Sequence, residues 1–210
     1  MYSGHEELPV TRLEAFSDAV FAIAITLIVL ELGISSKDGN HLLSSILHHW
    51  SSYLAYVTSF LTIGVVWLQH SAITHTLRAA DATLYRMNLL VLLLVSFLPF
   101  PTKVVVEFIA EGGPERVAAV FYGLTMLALS LALFGFGRYV AKDRRLVKDQ
   151  VEADAIESAM RHSPSFVLYG VGIAVSLVLP TAGIALYLAS AITRGVSARR
   201  VGIAALHRPR

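Results

Sequence analysis

Charge inside a membrane-length apolar run is where chemistry would sit, and this chain places Arg12, Glu14 and Asp18 in the opening turns of its first such run. The segment Thr11 to Leu32 (TRLEAFSDAVFAIAITLIVLEL) then carries no charge from Ala19 to Leu30. An ionisable side chain in a span is costly unless paired, so this helix is the first candidate for a functional site. The 8 histidines invite a metal reading. His48 and His49 are adjacent and diverge on a helix, and His70 and His75 are five apart, so neither pair has the spacing of a helical zinc site. With no cysteine there is no thiolate ligand, disulfide or cysteine nucleophile. An intramembrane hydrolase would need a buried aspartate pair, a Ser–Lys pair or a metal. Only Asp18 reads as a buried acid, so the chain is expected to be neither an enzyme nor a cofactor protein.

The elements that must position these residues are membrane helices. Of the 210 residues 55% are hydrophobic and 15% charged, against about 25% charged in soluble domains. Apolar runs of about 20 residues, with no ten-residue alternation of a barrel, predict an all-α integral membrane protein. Six spans are expected in one domain covering 1–210, at about 12–32, 50–70, 85–106, 117–140, 163–179 and 181–197. The last two form a hairpin around Pro180 to Gly183, read as a tight turn or helix break. With both termini cytoplasmic, only Lys37, Lys103 and Arg116 of the 17 lysines and arginines fall outside. A single final span would make the split nearly even. The pI near 9.0 follows from this placement and does not call for nucleic acid. No cleavable leader is expected, because the first run is of spanning length and begins with acidic residues. Lys142 to Met160 mixes charge signs and reads as a surface helix at the headgroups.

At about 100° per residue, Phe16, Ala19, Ile23, Thr26, Leu27 and Leu30 share one stripe of the first helix. Asp18 lies roughly opposite Ile23, with Ser17 on the flank. Arg12 and Asp18 diverge by about 120° and so need partners on other helices or in water. Periodicity alone leaves the stripe facing either lipid or packed neighbours.

Arg12, Phe16, Ser17 and Asp18 form R-x-x-x-F-S-D, followed by A-V-F-A-I-A-I-T-L. This resembles the signature of the bacterial relatives of the lysosomal potassium channel, the transmembrane protein 175 family. Trp67, His70, Asn88 and the L-P-F-P-T run from Leu98 to Thr102 extend the resemblance. It implies a homotetramer in which four first helices surround a cation pore, constricted by Ile23, Leu27 and Leu30, with Thr26 contributing a hydroxyl. The T-V-G-Y-G carbonyl filter is absent, so selectivity for potassium over sodium would be modest and would rest on pore radius and dewetting. Ser17 and Asp18 would hydrogen-bond neighbouring helices, with Trp67, His70 and Asn88 as their partners.

The expected function is therefore a potassium-permeable cation channel of the inner (plasma) membrane. Its partners would be potassium and other monovalent cations, the lipid bilayer and further copies of the chain. The alternative is a secondary transporter of a small solute or ion. Transporters favour midplane sites on broken helices, and the one marked break expected here, at Pro180, lies near the outer surface.

Overall fold

The computed structural model describes residues 9–32, 50–110, 114–161 and 165–206. His48, His49 and Lys37 lie outside these residues. Helix α1 spans Val10–Leu27 and tightens into a 3-10 turn at Ile28–Glu31. There follow α2 (Trp50–Thr74), α3 (Ala82–Phe97), α4 (Pro99–Ala110), α5 (Glu115–Lys142), α6 (Gln150–Arg161), α7 (Ser165–Ser176) and α8 (Pro180–Leu206). Among the described residues there is no sheet, only an isolated antiparallel bridge between Leu77 and Val147.

Among the described residues, four stretches are long and apolar enough to cross a membrane: Val10–Leu30, Tyr53–Thr74, Ala82–Phe108 and Glu115–Lys142. Two shorter apolar helices, Phe166–Ser176 and Pro180–Thr193, follow. The third apolar stretch is not one helix, as the sequence reading had it. Pro99 and Pro101 lack the N–H groups that would bond one turn back, so the helix breaks at Leu98. The carbonyls deprived of these donors are those of Val95 and Phe97, and the Leu98 N–H repairs part of the loss by donating to Val95 at 3.1 Å. The Pro180 to Gly183 cluster also differs from expectation. The turn lies at 177–179, and Pro180 opens α8, where a missing N–H costs nothing. The surface helix begins later than expected, at Gln150, because the 143–149 segment is held by the 75–81 loop. Arg78 donates its backbone N–H to the Leu146 carbonyl and Lys148 donates to that of Thr76.

Helix α5 is the centre of the bundle and packs against α3, α4, α6, α7 and α8. Tyr187 of α8 lies across it where Gly123 has no side chain, and against Gly172 of α7. Ser59 of α2 meets Thr102 Oγ1 of α4 at 2.8 Å and Tyr122 Oη of α5 at 3.0 Å, so three helices share one buried hydroxyl cluster. Helix α1 sits at the edge, packed on α2 and α3 through Leu13, Ser17, Phe21 and Ala24.

Candidate functional site on the first helix

Two sets of residues divide α1 by angle. On its inner face, Ser17 Oγ donates to the Leu13 carbonyl at 2.7 Å and accepts from Asn88 Nδ2 of α3 at 3.0 Å. Asn88 Oδ1 lies 2.6 Å from His70 Nε2 of α2. With the amide turned so that its NH2 meets Ser17, Oδ1 can only accept, so Nε2 carries the histidine proton. Ser17, His70 and Asn88 are all buried. The imidazole is stacked on Phe136 of α5, with ring centroids 5.3 Å apart, and its other side meets Phe21 at 5.4 Å. A polar group buried in a bundle is stable only when its partners are supplied, and here three helices supply them.

Beside this network, Trp67 Nε1 of α2 donates to Asp18 Oδ1 at 2.8 Å. Both residues are exposed on the single chain, which corrects the reading of Asp18 as a buried acid. The carboxylate lies on the flank of the helix, within reach of an indole but not of the core. Arg12 is exposed and makes no hydrogen bond or ion pair among the described residues, and Glu14 is half-buried. His75 is exposed, and its carbonyl accepts from Lys148 Nζ at 2.7 Å.

On the outer face the apolar stripe is bare. Phe16 is 54% exposed, Ile23 59%, Leu27 41% and Leu30 73%, so the described residues leave much of each side chain uncovered. Thr26, also exposed, turns its hydroxyl back to the Ile23 carbonyl at 2.9 Å. Leu30 lies in the 3-10 turn, so its angular position follows three residues per turn and not 3.6. Sequence reasoning missed Phe21 and Phe136. Phe21 stands one helical turn after Ser17 and could have been found from that spacing, whereas nothing local marks Phe136. It also missed Tyr85 of α3, whose hydroxyl donates to the Pro9 carbonyl at 2.9 Å and ties down the start of α1. Among the described residues no three His, Cys, Asp or Glu side chains gather as a metal site.

An all-helical bundle, among the described residues, with four stretches long and apolar enough to cross a membrane has the architecture of a multi-pass membrane protein. Residues 12–99 match the family model of the endosomal/lysosomal potassium channel TMEM175, and the chain belongs to that family. It is 38% identical over 185 residues to a potassium channel of Chamaesiphon minutus, covering 85% of this chain and 89% of that one. A potassium channel of Streptomyces collinus is 39% identical over 145 residues, covering 69% of this chain and 70% of the relative. The fold superposes with a TM-score of 0.79 on the crystal structure of a homologue, from Chamaesiphon minutus, of the lysosomal potassium-selective channel TMEM175. That match has 37% identity and covers 90% of this chain and 97% of the other. The family and these relatives are ion channels, not enzymes.

Proposed function

We propose that this chain is the subunit of a potassium-permeable cation channel, assembled as a homotetramer with α1 of each copy lining a central pore. The carrying observation is the exposure of α1. Only 28% of its membrane window is buried, against 44–50% in the other three membrane-length stretches, although its mean hydropathy of 2.1 lies within their range of 1.2–2.3. A helix so apolar and so little covered by its own chain is explained by copies of itself around an axis. Ile23, Leu27 and Leu30 would form the constriction, which closes by excluding water, with Thr26 beside it. Arg12, Phe16, Ser17, Asp18, Trp67, His70 and Asn88 set the orientation of the helix and take no direct part in permeation. Six spans with both termini cytoplasmic, in the inner membrane, complete the proposal.

The break at Leu98 lies inside an apolar stretch and is the one feature that resembles a transporter's discontinuous helix. It carries no ionisable side chain, and the Leu98 N–H occupies the Val95 carbonyl that Pro99 leaves free, which favours the channel. Protein reconstituted in liposomes should pass potassium down its gradient at channel rates, with modest preference over sodium. Slow, saturable exchange at a fixed coupling ratio would overturn the channel reading.

A further inference from the structure

The seam between α3 and α5 ends in cations that the channel reading does not use. On α5, Val117, Leu124 and Leu131 repeat every seven residues, are 68%, 51% and 52% exposed, and lead at the same spacing to Arg138, with Lys142 one turn beyond. Seven residues bring a helix back to within about 20° of the same face, so this is one stripe. On α3, Arg86, Leu90 and Phe97 share a second exposed stripe.

The two stripes border a common line of contact. Met87 Cε of α3 lies 3.5 Å from where a side chain at Gly135 of α5 would begin, so Arg86 and Arg138 stand beside a contact between the two helices. Towards the other end, Phe121 of α5 meets Phe97 at 6.2 Å and Phe100 at 5.9 Å, closing the seam.

Arg86, Arg138 and Lys142 make no hydrogen bond or ion pair among the described residues. The neighbouring acids are already engaged: Asp81 accepts from the Leu84 N–H and from Tyr139 Oη, and Asp143 holds Arg145 at 2.8 Å.

We infer that this seam seats an anionic phospholipid, with its phosphate between Arg86 and the Arg138 and Lys142 pair and an acyl chain along Leu131, Leu124 and Leu90. The dimensions agree. Arg138 to Leu124 spans about 20 Å of helix, more than the roughly 15 Å of one leaflet's hydrocarbon. Charge complementarity selects lipid over a second copy of the chain, which would bury three like charges at the foot of an apolar stripe, whereas a lipid satisfies both halves at once.

Native mass spectrometry of the full chain, released from detergent with phosphatidylglycerol and phosphatidylcholine of the same acyl chains, tests this. The wild type should retain phosphatidylglycerol preferentially. R86Q/R138Q/K142Q should lose that preference, by about fivefold for each cation removed. If the triple variant does not fold, R86Q and R138Q singly should each show one such step. Equal retention of the two lipids by the wild type, or an undiminished preference in the variants, overturns the inference. Displacement by inorganic phosphate would show a free-anion site and overturn it too. So would a change of oligomer mass without lipid loss, which would make the seam an interface between copies.

Discussion

His70 of α2 and Asn88 of α3 meet at 2.6 Å, and through the Asn88 amide the histidine is linked to Ser17 on α1. One asparagine therefore sets the spacing of three helices, one of which carries the exposed apolar stripe. Its oxygen accepts from one neighbour while its NH2 donates to another, which a carboxylate, an acceptor only, could not do.

Asn88→Leu should be the most damaging conservative-volume change in the network. It leaves the His70 N–H without its partner in a dry interior, at a cost of about 1–3 kcal/mol, and removes the bond that Ser17 accepts while sparing the one it donates to Leu13. Thermal unfolding of detergent-solubilised protein should show a clear drop in Tm. Ser17→Ala should lower it less, because only the Asn88 NH2 then loses a partner.

Asp18 and Trp67 form a surface hydrogen bond, so their effect should appear in assembly more than in folding. Trp67→Phe keeps the ring and removes the donor, while Asp18→Asn keeps an acceptor. Size-exclusion profiles should therefore show Asp18→Asn assembled as wild type, with Trp67→Phe and Asp18→Ala shifted towards smaller species. Wild-type profiles for both of the latter would leave the pair without a role at the subunit boundary.

Ile23→Asn and Leu27→Asn should each wet the constriction, raising resting potassium flux in liposomes or lowering the preference over sodium. Identical currents in both variants would remove these side chains from the pore.

The glycines separate into two groups. A Cβ at Gly172 would lie 2.5 Å from Tyr187 Cε1, and one at Gly123 would strike the same tyrosine's hydroxyl. Gly123→Ala and Gly172→Ala should each destabilise by about 1–3 kcal/mol through overpacking. Gly64 has open space at that position, and Gly64→Ala should instead stabilise α2 by about 0.5–1 kcal/mol. Thermal melts of the three variants side by side should order them so.

Asp81→Ala removes the N-cap of α3, where the carboxylate accepts the Leu84 N–H at 2.8 Å, and also the acceptor of Tyr139 Oη at 2.6 Å. Loss of a cap costs about 1 kcal/mol. Tyr139→Phe, which spares the cap, should lower Tm by less.

Much of the architecture could be read in one dimension. A helix needs only its own residues to become membrane-length, and the apolar runs announce α1, α2 and α5 because each is unbroken. The stripe from Phe16 to Leu30 was equally legible, since a period of 3.6 residues places those side chains on one face whatever lies around it. The L-P-F-P run was visible as well, but reading residues 85–106 as one unbroken helix ignored that two prolines in three residues remove two rungs of the ladder, at 99 and 101.

Depth and partnership were settled only by the fold. Whether Asp18 is buried depends on which helices stand beside α1, and the packing leaves it on the flank against Trp67 while Ser17, its neighbour in sequence, is fully covered. The stacking of Phe136 on His70 joins residues 66 positions apart, and no local pattern encodes so distant a contact. Hydropathy and periodicity follow from the chain's own order. The pairing of buried polar groups follows from which helices meet, and that is decided by how the whole bundle satisfies its hydrogen bonds without water.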